Sequence, residues 1–439
     1  MRLLWMVVLI LAHLLLVVAG AEEVSVRCEI DDHALSAPAE AESSIEDLAR
    51  YLSGLAKSDE ERARAIYRWI GANIRYDVAG TTGPRRCRTP EEVLAEKRGV
   101  CSGYSALFSS LCEHSGLEVV VIRGHAKGYG YSVGSQIPEE TNHAWNAVLI
   151  DGEWRLVDST WGAGAVDPEE GFVQRFEDFY FLTPPEELVW THLPEDPSWQ
   201  LLDSPMSKEE FEGLAYAKPP FFKNEMRIES PLEGTIRADE GAKVTLSAPE
   251  DVGVTAELLD ERGRKLPQRF TLVRRSKDEV VVRAACPGPG DHILRIYSER
   301  GDAGEGAAYD WTLDYRLVAG PKARAQTGFP LIWDAFWDLG LEVESHPQGV
   351  IVTGSELEVV ISVPQDVHLL ARLLDEEGQK IPEDRTVTSR MDDEYIVRVS
   401  FPRAGDYILR IYAKRGGGPA GEYTSVIEYA VVAEAGVEA

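Results

Sequence analysis

Cysteine is scarce in this chain: five residues in 439, at Cys28, Cys87, Cys101, Cys112 and Cys286, with no CxxC pair among them. That is too few and too scattered for a disulfide scaffold, and without paired spacings the signature of a zinc site is missing, so no metal is expected. An odd count leaves at least one thiol unpaired within a single chain, and each cysteine has to be accounted for separately. Positive charge is also in deficit. Lys and Arg number 45 against 74 Asp and Glu, a formal net charge of −29. A field of that sign repels phosphate backbones and anionic lipid, so no nucleic-acid partner is expected. Long apolar runs are missing beyond residue 21, which excludes a polytopic membrane protein. Hydrophobic content of 44% and charged content of 27% are those of a folded chain rather than a disordered one. At roughly 100–200 residues per domain, the length predicts about two to four domains.

What is present begins with Met1-Arg2 and then Leu3 to Ala21, interrupted only by His13 and closing on Ala19-Gly20-Ala21. This order of charge, apolar run and small residues matches a secretory signal over residues 1–21, cleaved before Glu22. The expected location is therefore secreted, periplasmic or cell-surface. The alternative is an anchor that stays attached, since the run approaches the ~18–20 residues that span a bilayer. Export would also leave Cys28 and Cys87 able to pair, which the sequence leaves open.

From Ser43 to about Leu202 helices and strands are mixed. Ser58-Asp-Glu-Glu61 reads as a capping box opening a helix in which Ala63, Ile66, Ile70 and Ile74 recur at helical spacing. Thr89-Pro90-Glu91-Glu92 opens a second, and Gly99-Val100-Cys101 precedes a third that runs to Gly116. Strands follow at Val119 to Arg123, Trp145 to Ile150 and Trp154 to Val157, the last two joined by Asp151-Gly152, a dipeptide suited to a two-residue hairpin. Helices followed by antiparallel strands predict an α+β domain over 22–204.

Beyond Pro205 one unit occurs twice. Leu258-Leu-Asp-Glu-Arg-Gly-Arg-Lys-Leu-Pro267 matches Leu373-Leu-Asp-Glu-Glu-Gly-Gln-Lys-Ile-Pro382, and Gly290 to Tyr297 matches Gly405 to Tyr412, both offset by 115 residues (373 − 258). Many short strands in a repeat of about 100 residues predict two immunoglobulin-like β-sandwiches, at 225–320 and 340–434, with linkers at 205–224 and 321–339. Cys286 aligns with Phe401, so its position wants an apolar side chain.

Chemistry points to residues 66–202. Cys101 opens a helix, where unpaired amides and the positive dipole end favour a thiolate, whereas Cys112 lies well down the same helix and packs. A nucleophilic thiol needs a base, and the base needs something to orient it. If the hairpin turns at Asp151-Gly152, Ala147 lies opposite Arg155 or a near neighbour, and His143 comes beside Asp158 within one register step. His114, at the far end of the cysteine helix, is out of reach of the thiol; His125 stays open as a competing base. His192, in Thr191-His192-Leu193-Pro194, has no second ligand at i+3 or i+4 and is read as structural.

Several stretches together resemble the transglutaminase-like superfamily, and within it the kyphoscoliosis-peptidase branch. They are Ala65-Ile-Tyr-Arg-Trp-Ile70 with Ile74-Arg-Tyr-Asp77, Gly99-Val-Cys-Ser-Gly-Tyr-Ser105, Asn142-His-Ala-Trp-Asn146 and Asp158-Ser-Thr-Trp-Gly162. The segment from Tyr180 to Leu202 is similar to the one that closes that branch's catalytic domain, and the repeats are similar to its immunoglobulin-like domains. The resemblance implies a papain-like core with Cys101 as nucleophile, His143 as general base and then acid, and Asp158 as orienter. No Gln stands shortly before Cys101 to serve the oxyanion; the Cys101 amide and either Tyr76 or Trp69 are the candidate donors. Trp161, Asn142 and Asn146 are read as packing and hairpin residues.

Two functions follow. The first is an exported cysteine peptidase, deamidase or crosslinker acting on protein or peptide carboxamides through a thioester, with no cofactor. The second is a non-catalytic scaffold whose sandwiches engage protein partners.

Overall fold

A computed structural model describes residues 27–79, 88–301, 308–381, 384–416 and 422–434. The signal-like segment 1–21 and Cys87 lie outside the described residues. The chain divides into two units, Met1–Glu212 and Gly213–Ala439.

In the first unit two of the helices start where side-chain caps direct them. Ser58 accepts the Glu61 amide at 3.2 Å at the head of Asp59–Asn73, with three acids in the first turn beside the positive dipole end. The Glu61 carboxylate accepts from the Lys57 amide rather than from Ser58, so the expected reciprocal box is displaced by one residue. Thr89 and Glu92 close a full capping box over Pro90–Glu96. Asp59–Asn73 buries Ala63, Ile66, Tyr67, Trp69 and Ile70, and Cys101–His114 buries Tyr104, Leu107, Phe108, Leu111 and Cys112; both faces enter one core.

Five antiparallel strands form the sheet of this unit, in the spatial order Phe181–Thr183, Glu153–Val157, His143–Ile150, Val119–Ala126 and His192–Pro194, and all but the last add residues to that core. The central hairpin turns at Asp151 and Gly152, with φ of 50° and 83°, the left-handed pair that lets a twisted hairpin close in two residues. Ala147 lies opposite Leu156, the neighbour of Arg155.

Three ties hold the helices to the site. Arg75–Tyr76 pairs in parallel with Arg98–Gly99, just ahead of Cys101. Tyr104 donates its hydroxyl to the Ile74 carbonyl at 2.6 Å. A Cβ on Gly162 would overlap the Tyr67 hydroxyl, so the turn after Asp158 can lie against Asp59–Asn73 only because residue 162 lacks a side chain. Elsewhere Lys127 is buried, donating to the Phe211 carbonyl at 2.6 Å with its ammonium 4.4 Å from the Phe211 ring centre.

The second unit is two immunoglobulin-like sandwiches, each facing a five-stranded sheet with a four-stranded one. The 115-residue offset persists strand by strand, for example Val252–Leu259 with Val367–Leu374 and Gly290–Arg300 with Gly405–Arg415. Cys286 and Phe401 are both buried, at equivalent places. The repeat also reaches further back than its plainest sequence match. Tyr216–Ala217 pairs with Asp310–Ala319, and Leu331–Ile332 pairs with Thr424–Ala433. Each short strand is followed by a helix, Pro219–Lys223 or Asp334–Asp338, that buries Phe221 or Phe336. The stretches 205–224 and 321–339, expected as linkers, therefore carry sheet and core residues, held by backbone pairing that needs little side-chain identity.

Candidate active site

Cys101 is the first residue of its helix, after Val100, which offers no side-chain cap to the opening amides. Gly99 and Gly103 let Val93 of Pro90–Glu96 pack against this helix start, where a Cβ at Gly103 would stand 3.0 Å from Val93. The thiol is half-buried, and burial alone would raise its pKa. The hydrogen bond and positive charge of His143 outweigh burial and hold it below the ordinary thiol range. Two other cysteines differ: burial pushes Cys112 well up and Cys286 up to about 11.

His143 begins the strand next to the hairpin turn's partner strand and is 8% exposed. Its Nε2 lies 2.8 Å from Asp158 Oδ2. Burial opposes a charge on the ring, but the Asp158 carboxylate overcomes it and holds the imidazole well above its ordinary pKa. Asp158 is 1% exposed. It caps the helix Ser159–Ala163, its Oδ1 accepting the Thr160 amide at 2.8 Å and the Trp161 amide at 3.1 Å. Burial pushes its pKa up, and the two imidazoles and their hydrogen bonds drive it below the usual carboxylate range. The three residues predicted to work together therefore converge.

Two family models match this chain. The transglutaminase-like superfamily model covers residues 46–159, and the KY-like, immunoglobulin-like domain model matches twice, at 208–327 and 325–437. The chain belongs to the kyphoscoliosis-peptidase-like branch of the transglutaminase-like superfamily. Among its relatives, kyphoscoliosis peptidase of Homo sapiens is 31% identical over 411 residues, 89% of this chain and 60% of that one. Lim and transglutaminase domain protein ltd-1 of Caenorhabditis elegans and Hillarin of Drosophila melanogaster are each 26% identical, over 90% and 89% of this chain and 59% and 53% of theirs. The chain thus spans 60% or less of the length of these family members.

One residue at this family site has a place that local spacing did not reveal. His192, in the edge strand His192–Pro194, puts its Nε2 3.1 Å from the same Asp158 Oδ2 that meets His143. Its neighbours arrive from other strands rather than from i+3 or i+4, and its local mark is a polar ring framed by buried residues. Thr191 Oγ1 lies 2.9 Å from His192 Nδ1. Trp145, Trp161 and Tyr180 box the ring at centroid distances of 5.0, 4.4 and 6.2 Å. The ligand atoms of His143, Asp158 and His192 lie within 4.8 Å of one another, near enough for a metal ion, while the N···O separations of 2.8 and 3.1 Å are those of hydrogen bonds.

The other candidates sort plainly. Trp69 is corrected as an oxyanion donor: its ring is buried and its indole N–H is already donated to Glu42 Oε1 at 3.2 Å. Tyr76 stands opposite Gly99 in the short parallel ribbon, two residues before Cys101. His114 is exposed at the far end of the cysteine helix, bonded to the Ser110 carbonyl. His125 sits opposite Leu193, in the field of Lys208, Glu139, Glu195 and Glu212. Asn146 donates to the Ser105 carbonyl at 3.1 Å, joining the histidine strand to the cysteine helix, and Asn142 bonds both backbone groups of Ala126.

Proposed function

We propose that the chain is an exported, thiol-dependent acyl-transfer enzyme acting on protein or peptide carboxamides, with Cys101 as nucleophile, His143 as base and then acid, and Asp158 as orienter. The observation that carries this reading is the arrangement itself: an imidazole bonded to a buried carboxylate at 2.8 Å, beside a helix-opening thiol that its charge holds below the ordinary range. The thiolate Sγ adds to the amide carbon, and the charge that develops on the carbonyl oxygen is met by amides at the helix start, with Tyr76 as a candidate second donor. His143 gives its proton to the departing amine, the C–N bond breaks, and a thioester remains. Water deprotonated by His143 then releases an acid, which is peptidase or deamidase activity; a primary amine instead forms a new amide, which is crosslinking. Export rests on residues 1–21, and N-terminal sequencing of the mature protein from its own cell tests it.

The test incubates full-length protein with peptides carrying glutamine, with and without a primary amine. New N-termini, released ammonia and incorporated amine separate the three outcomes, and Cys101→Ser should abolish whichever is found. The two KY-like sandwiches, matched over 208–327 and 325–437, favour a second reading as a scaffold for protein partners. Absence of all three products, together with a Cys101 that alkylates like a free thiol, would put that reading first.

A further inference from the structure

We propose that His192 is a positioning residue of this site: by donating its Nε2–H to the Asp158 oxygen that also receives His143, it holds the carboxylate and tempers its pull on the His143 proton. The inference rests on the catalytic reading above. A carboxylate offers about four acceptor positions, and all of those on Asp158 are filled. Oδ1 takes the Thr160 and Trp161 amides, and Oδ2 takes the two imidazoles at 2.8 and 3.1 Å.

His192 is 2% exposed, and burial keeps its ring neutral despite the pull of Asp158. A neutral ring facing a carboxylate through Nε2 carries its proton there, which leaves Nδ1 to accept from the Thr191 hydroxyl 2.9 Å away. An oxygen shared between two donors is a weaker base than one serving a single donor. The His143 proton is therefore held less tightly than Asp158 alone would hold it, closer to the range in which a base both takes and returns a proton. The other ionisable groups around the carboxylate are Cys101 and Tyr104 from the cysteine helix and Tyr67 from Asp59–Asn73. Burial raises both tyrosines and keeps them neutral, so only the thiol and the His143 imidazole change charge in the working range.

Packing and hydrogen bonding predict opposite variant orders. His192→Phe keeps a ring inside the box of Trp145, Trp161 and Tyr180 but has no donor; His192→Gln fits the box less well but restores an amide N–H near the place of Nε2. The measurement is the rate at which iodoacetate alkylates Cys101 in the full chain from pH 6 to 12, mapped by peptide mass and taken per folded molecule. Iodoacetate is an anion, so its rate falls as the His143 imidazolium loses its proton, and the upper limb of the profile reads that loss. His192→Phe should move that limb up by roughly half to one pH unit, about three- to tenfold in proton affinity, and His192→Gln should return it. His192→Leu supplies the same donorless test if the Phe variant fails to fold. A limb that stays in place or moves down, or a displacement that Gln does not reverse, overturns the proposal and leaves His192 to packing. A wild-type Cys101 that alkylates no faster than a free thiol at pH 6 would instead defeat the catalytic reading, and this inference with it.

Discussion

Replacing Asp158 by Asn removes one charge and turns two hydrogen bonds the wrong way. The amide oxygen can keep the Thr160 and Trp161 N–H groups, and Asn caps a helix about as well as Asp, so the turn survives. The NH2 group then takes the place of Oδ2 and faces two ring nitrogens that had been donating to it from 2.8 and 3.1 Å. His143 must make its Nε2 an acceptor, which moves the proton to the nitrogen that faces the thiol, and a neutral ring in that tautomer cannot take the thiol proton. The imidazolium loses its counter-charge as well. Two unit charges about 3 Å apart attract by about 6 kcal/mol at an effective dielectric of about 20. If the amide dipole recovers half of that, about 3 kcal/mol is lost, roughly 100-fold in the thiolate–imidazolium population. Iodoacetamide labelling of Cys101 at pH 6 should therefore slow by about 100-fold. In His143→Ala it should fall to the ordinary thiol rate. At pH 10 the three proteins should converge, because the thiolate then forms unaided. An Asp158→Asn protein that labels at the wild-type rate at pH 6, with an unchanged melting temperature, refutes the reasoning and reduces Asp158 to a helix cap.

Two buried bases should give stability opposite slopes with pH. His143 is raised in the fold, so its contribution is complete below about 6.5 and is lost as pH climbs through the raised value. Burial lowers Lys127 to about 7; from there to its unfolded value near about 10.4 the unfolded chain holds the extra proton, and stability rises with pH. His143→Ala should therefore make the melting temperature climb more steeply between pH 7 and 10, and Lys127→Met should make it fall; calorimetry finding wild-type slopes in both rejects both assignments. Separately, 208–327 should fold alone with one cooperative transition. A fragment of 225–320 lacks the Tyr216–Ala217 strand and the buried Phe221, a loss of about 3–5 kcal/mol. Equal melting temperatures for the two fragments would show that this strand and helix lie outside the sandwich core.

Much of the site was legible because it is written in local patterns. A cysteine directly after Gly99-Val100 marks a helix start, and the Asp151-Gly152 turn brings the strand of His143 beside the one that ends at Asp158. The repeat was legible at Leu258 to Pro267 and Gly290 to Tyr297 because loops and long strands keep their side chains in register with the second copy. Its first strand was not, since Tyr216–Ala217 is held by backbone bonds to Asp310–Ala319, nearly a hundred residues on, and those bonds leave no mark on residue type.

By itself, then, the sequence determined the helix starts and the hairpin turn through short-range steric and hydrogen-bonding rules, the duplicated sandwiches through the 115-residue repeat, and the Cys101, His143 and Asp158 set through spacing joined to the family resemblance. Only the tertiary structure decided which strand lies at the far edge of the sheet. That choice places His192 on Asp158 across 34 residues of chain, and the separate packing of Asp59–Asn73 takes Trp69 out of the site by giving its N–H to Glu42. Both outcomes depend on how buried polar groups divide a limited set of partners once the core has closed, a competition that exists only in the folded chain.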